Sequence, residues 1–374
     1  MKILQLIPSL TDGGAERFVV DLCNELTVQN EVLLCTMFPL NNSSGFFKNE
    51  LLPTIRLTTL DKKLGIDISI FKKLQKVINE FKPDIIHTHI RALNYLLPLL
   101  LFPGKSCKVV HTVHNDAWKE TIDAKERKFR YWFYRRKKVM PITISKDSER
   151  TFKEAYPGVV SKVITNGTRM LLPSTQFNDV KNFIDSSKRN CDTKVFIHIG
   201  RLTAQKNHIM LISAFQRLIN QGANALLLMI GGERNTLESE EIAAKVKAGC
   251  NNSIIWLGGN QPAGDYLMIA EFFCLSSIYE GMPISLIEAL AVGCIPVCTP
   301  VGGIKEMIQD VGFLSKDTSE DAYYEAIEAA YKSSEDDLSR LKKRSKEVYK
   351  NRYDIKICAE NYMHLYKKIA KKNQ

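Results

Sequence analysis

Two successive series of short apolar runs, each followed by an amphipathic helical pattern, constrain the 374-residue chain more than any other feature. In the first half, residues 3–7, 32–37, 84–88, 108–113, 141–144 and 163–165 read as strands. Residues 15–26, 68–81 and 146–155 read as helices, the second closed by Lys82-Pro83. The second half restarts the pattern, with strands at 195–199, 225–230, 254–257, 272–275 and 296–298. Its helices fall at 207–220, 237–248, 265–270 and 284–291. Strand and helix in alternation imply a parallel sheet covered on both faces. The length exceeds one ordinary core, so the expected class is α/β with two doubly wound, Rossmann-like domains. Residues 1–171 form the expected first domain and 193–352 the second. Residues 172–192, rich in Ser, Asn, Asp and Lys and without a period, read as the linker. The tail from Ser319 to Gln374 reads as helical and basic. Doubly wound sheets bind ligands outside the carboxyl ends of their strands, so the functional residues belong there.

Composition narrows the class. The chain is 45% hydrophobic and 25% charged, as in soluble globular proteins. Its longest apolar run, 95–102, contains Pro98 and falls short of the roughly 18 residues that span a bilayer. Residues 1–8 read as a buried first strand without a cleavage site, so cytoplasmic location is expected. The nine cysteines are scattered, which suits reduced, buried thiols. Cys294 and Cys298 lack a second Cys or His pair, and Ile295-Pro296-Val297 between them reads as strand, so no metal is expected there. The formal charge of +11 calls for an acidic partner: nucleic acid, anionic lipid or a phosphorylated small molecule.

Three segments at strand ends fit the last. Between Ser277 and Glu288, two carboxylates, Glu280 and Glu288, flank Gly281, Met282 and Pro283 and the start of an apolar helix, Ile284, Ser285 and Leu286. Gly281 offers backbone freedom that a Cβ restricts. Pro283 suits a first helical turn. The N–H groups that follow favour phosphate, and the carboxylates accept from hydroxyls. Gly200-Arg201 through Lys206-Asn207 places a guanidinium and an ammonium after another strand, suited to the charge of a departing diphosphate; solvated loop charges are the bland alternative. Thr11-Asp12-Gly13-Gly14-Ala15-Glu16-Arg17 opens a helix with paired glycines. It lacks the third glycine of a dinucleotide fingerprint, and a plain tight turn remains open.

His87, His89, His111 and His114 end two successive strands. No carboxylate accompanies the alternating pair, which argues against a metal and for packing or capping by His87, His89 and His111. His114, followed by Asn115-Asp116, suits a sugar hydroxyl or phosphate. Residues 125–138 hold eight basic residues, one acid and five aromatics. An amphipathic helix on an anionic membrane and a sheet-packed helix with solvated charges both remain open. Nucleic acid is not expected, since no recognised binding module accompanies the patch.

Together Gly13-Gly14-Ala15-Glu16, Gly200-Arg201 with Lys206-Asn207, Ser277 through Glu288, and Pro300-Val301-Gly302-Gly303 with Glu306 resemble the family-4 retaining glycosyltransferases of the GT-B fold. The resemblance implies two Rossmann-like domains facing across a cleft, with the last helix, about 353–374, crossing back to the first. By similarity, Arg201 and Lys206 hold the donor diphosphate beside Gly200, Glu280 meets donor-sugar hydroxyls, and Glu288 meets the ribose. Backbone N–H groups near Met282–Leu286 meet phosphate or sugar, His114 meets the donor sugar, and Gly14 brings backbone close to donor or acceptor. The chain departs from the family pattern at Glu271, Ser276, the short loop 258–264 and Asn166-Gly167-Thr168-Arg169.

The implied activity is transfer, with retention, of a hexose or N-acetylhexosamine from a UDP- or GDP-sugar to a hydroxyl of a saccharide or lipid-linked acceptor. Neither metal nor cofactor is implied. The expected setting is surface polysaccharide or glycolipid synthesis, peripheral at the inner face of the cell membrane. A sugar-nucleotide epimerase or hydrolase on the same scaffold, and a non-enzymatic anionic-ligand binder, are the alternatives.

Overall fold

The computed structural model describes residues 1–41, 44–63, 65, 67–101, 107–234 and 236–371. The chain forms two compact units, one of residues 1–169 with 353–374 and one of residues 170–352.

The first unit holds a seven-stranded parallel sheet. Its strands are β1 (Lys2–Ile7), β2 (Glu31–Thr36), β3 (Arg56–Thr59), β4 (Ile85–His89), β5 (Lys108–Val113), β6 (Val139–Thr143) and β7 (Lys162–Val163), in the order 3-2-1-4-5-6-7. The order reverses between β1 and β4, which pair in parallel. This is the Rossmann arrangement, and the reversal opens a crevice beyond the carboxyl ends of β1 and β4. Edge strand β3 was not expected, because only one of its four residues is hydrophobic and none is buried. The helix Gly14–Leu26 buries Phe18, Val19, Leu22 and Cys23, the continuous apolar face that its period dictates. The closing helix, Ile355–Lys371, belongs to this unit and buries Tyr362 and Tyr366 completely. Its entry is fixed where Ile355 N donates to Thr168 O at 3.1 Å and Thr168 N donates to Tyr353 O at 3.1 Å. A Cβ on Gly167 would stand 2.9 Å from the Cα of Ile355, so only glycine lets the two segments approach.

The second unit holds six parallel strands, β8 (Lys194–Ile199), β9 (Ala225–Ile230), β10 (Ile254–Trp256), β11 (Phe272–Leu275), β12 (Ile295–Cys298) and β13 (Phe313–Leu314). Their order, 10-9-8-11-12-13, repeats the same winding with the reversal between β8 and β11. Phe196 and Phe272 stack across that pair at 4.5 Å. Each buried side chain of this size contributes about 1.5–3 kcal/mol. The segment read as an unstructured linker carries a helix, Phe177–Ser187, with Val180 and Ile184 buried. Its apolar positions are too few for the pattern to stand out from its polar composition. Ser174 docks it further, with Oγ donating to Asp265 Oδ2 at 2.5 Å. No helix among the described residues is long and apolar enough to cross a membrane.

Candidate functional site

The reversal in the first sheet gathers a closed polar cluster. Helix Gly14–Leu26 starts with Gly13 as an extended N-cap that has no side-chain cap, and Arg17 N donates to Gly13 O at 3.0 Å. Arg17 makes a fork on Asp21, with Nη2 at 2.7 Å and Nε at 3.2 Å, and reaches Glu50 at 2.6 Å. Asp21 also accepts from Thr168 Oγ1 at 2.8 Å, and Arg169 pairs with Glu50. The charges behind the paired glycines are therefore structural. They fasten the turn 166–169, where the sequence lacks the family acid, to the first helix.

At the ends of β4 and β5, His87, His89 and His111 are fully buried. His87 Nε2 meets Thr112 Oγ1 at 2.7 Å, and Tyr366 OH meets His87 Nδ1 at 2.7 Å. Tyr362 OH reaches the same threonine at 2.8 Å. His89 Nε2 faces Gln5 Oε1 at 2.8 Å, and His89 Nδ1 faces His114 Nε2 at 2.9 Å. With the Gln5 amide in this orientation, His89 donates from Nε2 and accepts from His114. Ile90, next in the chain, has φ of 55°, a costly conformation for a β-branched residue that accumulates at functional sites. Burial lowers the His87 and His89 pKa values well below the ordinary range and that of His114 to about 4. All three rings are neutral near pH 7.

Sequence reasoning missed Glu120 and Arg130. Glu120 Oε2 accepts from His114 N at 2.7 Å, and Oε1 accepts from His111 Nε2 at 3.1 Å. Arg130 Nη1 lies 3.4 Å from Glu120, and Nε donates to Asn94 at 2.9 Å. Burial raises the Glu120 carboxyl, but His111 and the charge of Arg130 outweigh it and leave the pKa lowered. Gln5 was missed as well, because a single polar residue in an apolar strand carries no signal of its own.

The helix Ala124–Arg135 divides the basic stretch in two. Arg130, Phe133 and Tyr134 are buried against the unit. The opposite face presents Lys125, Lys128, Phe129, Trp132, Arg135 and Arg136, all exposed. Arg136 stacks on Trp132 at 3.8 Å, and Arg127 on the exposed Trp118 at 4.6 Å. Exposed Ile122 lies on the same connection.

The reversal in the second sheet has a different character. The loop after β8 and the loop after β11 are stitched together. Ile278 N donates to Gln205 O at 2.8 Å, Gln205 Nε2 to Tyr279 O at 2.9 Å, and Ser276 Oγ to Lys206 O at 2.9 Å. Serine at 276, where the family has proline, thus supplies a bond. Lys206 Nζ meets Glu280 Oε1 at 2.6 Å, and Ser277 Oγ donates to the same oxygen at 2.7 Å. Two expected site residues therefore form one buried pair. The ammonium retains further donors for an anion. Arg201 is half-buried and makes no hydrogen bond or ion pair among the described residues.

Glycines let these loops close up. A Cβ on Gly200 would lie 2.9 Å from His198 Nε2, and one on Gly231 would overlap Gly200 O. Gly281 lies outside the left-handed region; Gly302, with φ of 55°, takes that role. A Cβ on Gly302 would overlap Glu280 O, and Gly303 N donates to Gly281 O at 3.0 Å. The backbone freedom belongs to the partner turn because that turn must fold over the Glu280 carbonyl. Pro283 is the extended N-cap of helix Ile284–Val292 and provides no side-chain cap, so the N–H groups of Ile284, Ser285 and Leu286 start the helix uncapped. Met282 is buried and Glu288 half-buried beside them. Glu271, the other departure, accepts from Val195 N at 2.7 Å and closes the far end of β8. Beneath the Gly200 loop, His208 Nε2 meets Gly200 O at 3.2 Å, and burial lowers its pKa to about 4.

Among the described residues no group of three or more His, Cys, Asp or Glu is placed to hold a metal ion. Burial pushes the Cys294 and Cys298 thiols well above their ordinary range.

Comparison with known proteins follows the same division. Residues 12–169 match the family model described as Glycosyltransferase Family 4, and residues 179–348 match Glycosyl transferases group 1. A Campylobacter jejuni α-1,4-N-acetyl-D-galactosaminyltransferase named for a diphospho-undecaprenol-linked acceptor is 25% identical, covering 83% of this chain and 82% of its own. An Escherichia coli UDP-Gal:α-D-GlcNAc-diphosphoundecaprenol α-1,3-galactosyltransferase is 28% identical over 74% and 72% of the two chains. A capsular polysaccharide glycosyltransferase from Staphylococcus aureus is 25% identical over 98% of each. Among solved structures, a Rickettsia africae glycosyltransferase aligns over 100% of this chain and 99% of its own, with a TM-score of 0.80 at 18% identity. An Anabaena protein crystallised with UDP and glucose has the same score and identity over 98% of this chain and 100% of its own.

Proposed function

We propose, from the premise that this chain belongs to the family-4, group 1 glycosyltransferases, that it is a retaining enzyme using a UDP- or GDP-activated hexose or N-acetylhexosamine. The observation that carries this reading is the second unit's crevice at β8 and β11. There Arg201, the Lys206–Glu280–Ser277 cluster and the uncapped helix start at Ile284 lie on stitched loops.

The reading gives each group one task. Arg201, Lys206 and the helix N–H groups take the diphosphate, whose charge grows as the glycosidic bond breaks, so they favour the transition state over the ground state. Glu280 accepts from sugar hydroxyls and Glu288 from the ribose. By the same resemblance, His114, neutral near pH 7, meets the donor sugar, and Gly14 leaves room for backbone approach. In the transfer step, the acceptor oxygen forms its bond to the anomeric carbon on the face the diphosphate leaves. The carbon–phosphate-oxygen bond breaks with its electron pair, and the acceptor proton passes to that phosphate oxygen. Neither a covalent enzyme intermediate nor a metal is part of this reading, and chelation is expected to leave turnover unchanged.

The acceptors printed in the relatives' names are lipid-linked or capsular saccharides, which supports an acceptor of that class here. The exposed basic and aromatic face of Ala124–Arg135 suits the anionic surface on which a lipid-linked acceptor resides. Substituting Lys125, Lys128, Arg135 and Arg136 by glutamine is expected to abolish flotation with anionic vesicles; unchanged flotation would refute the membrane assignment.

A thermal-shift panel of UDP-, GDP- and ADP-sugars tests the donor, because a ligand that binds only the folded state raises its apparent stability. A rise with a UDP- or GDP-sugar is expected. Mass spectrometry then separates the chemistries: transfer requires acceptor, whereas an epimerase or hydrolase gives the same product without one.

A further inference from the structure

We infer that Glu120 is a positioning residue for His114, and that Arg130 on the surface helix holds Glu120 in place. This rests on the reading above that His114 meets the donor sugar.

The geometry begins with a cap. Asp116 accepts from Trp118 N at 2.8 Å and Lys119 N at 3.2 Å, so the chain after β5 makes the single turn Ala117–Glu120. That turn returns Glu120 to the strand end it has just left. Its two carboxylate oxygens then serve three donors: His114 N at 2.7 Å, His111 Nε2 at 3.1 Å and Arg130 Nη1 at 3.4 Å. A carboxylate on a backbone N–H is a short, charge-assisted bond, and a buried one is little weakened by water.

The ring of His114 is held separately. Its Nε2 faces His89 at 2.9 Å, His89 is tied to Gln5 at 2.8 Å, and Phe18 packs on the imidazole at 5.6 Å between centroids. Backbone and ring are thus fixed by different elements, which leaves Nδ1 to meet a ligand. Arg130 is only 1% exposed and is itself anchored by Asn94 Oδ1 at 2.9 Å and paired with Glu126 Oε1 at 2.9 Å. Buried ion networks of this kind add little stability over apolar packing of the same volume. Their specific contribution is geometry, and here the geometry ends at His114.

A double-mutant cycle tests this with the full chain. UDP-glucose, UDP-galactose, UDP-N-acetylglucosamine and UDP-N-acetylgalactosamine are screened, and turnover is measured with the one consumed. Glu120→Gln is expected to lower kcat about tenfold with KM for the sugar nucleotide within about twofold, since misplacement of a contact costs rate. Combined with His114→Ala it should add no further loss, because residues acting through one contact are not additive. In ¹⁵N-labelled protein, Glu120→Gln should move the imidazole signals of His114. Asp116→Ala, which loosens the same turn from a half-exposed position, should do the same more weakly and serves if Glu120→Gln does not fold. Additive losses, or unmoved His114 signals, would overturn the positioning role while His114→Ala remained impaired. Wild-type turnover in His114→Ala would instead overturn the reading of His114 itself, and the inference with it.

Discussion

The two units wind their sheets in the same order, yet they treat the reversal point in opposite ways. In the first, polar groups fill the crevice and bond one another: the side chains of Gln5, His89 and His114 form one series, and Glu120, held by Arg130, accepts from the backbone N–H of His114. In the second, glycines 200, 231 and 302 let the loops close on one another, and Arg201 and the uncapped start of helix Ile284–Val292 are the groups proposed above to take the diphosphate. A closed polar network fixes shape, whereas a glycine-lined loop beside a helix N-terminus attracts an anion. On the proposed reading, one fold supplies a rigid wall in one unit and a charged seat in the other.

Breaking the seat should have the largest effect. Lys206→Ala removes its ammonium, and kcat should fall about 10²-fold or more, as on loss of a charge-stabilising donor. Near-wild-type turnover would leave the contrast between the units without a chemical meaning. Gly302→Ala comes next. It puts a Cβ onto Glu280 O at a φ of 55°, so sugar-nucleotide binding should weaken about tenfold and the melting temperature should fall by a few degrees. Isothermal titration and calorimetry read the two effects.

Acid should reveal the wall. His87, His89, His111 and His114 in the first unit, and His198 and His208 in the second, all have pKa values lowered by burial. The unfolded chain therefore binds more protons than the folded one below about pH 6.5. Their stabilisation is complete above that pH. It is lost as pH falls toward the folded values, about 4 for His114 and His208. With four such residues against two, the first unit should lose protection sooner. Hydrogen exchange in β4 and β5, compared with β8 at pH 7.5 and 5 and corrected for intrinsic rate, should show the larger loss in the first pair. The smallest effect is expected for Ser277→Ala, which deletes one of two contacts to Glu280 Oε1. Turnover should drop about fivefold, which matches the roughly 1 kcal/mol of a hydrogen bond, and steady-state kinetics will register it.

Much of this was legible in advance where period and turn chemistry coincide. The helix start at Pro283, the glycine turns after β1 and β8, and most strands follow from alternation that any register error would destroy. The edge strand Arg56–Thr59 and the helix Phe177–Ser187 were not legible, since each carries too little apolar pattern. The basic stretch was only half legible. Composition marked it as amphipathic, but the sequence could not say that Phe133 and Tyr134 turn inward while Phe129 and Trp132 stay exposed.

The sequence by itself determined the doubly wound class and the strand ends that carry the motifs, because residue type and local spacing carry those facts; the roles proposed for Arg201, Lys206, Glu280 and His114 come from the family resemblance. Tertiary structure alone decided the partnerships. Lys206 meets Glu280 across 74 positions, Tyr366 meets His87 across 279, and Gly302 yields its Cβ space to Glu280 O. Such pairings depend on which strands lie side by side, and strand order is a property of the whole sheet rather than of any stretch of chain.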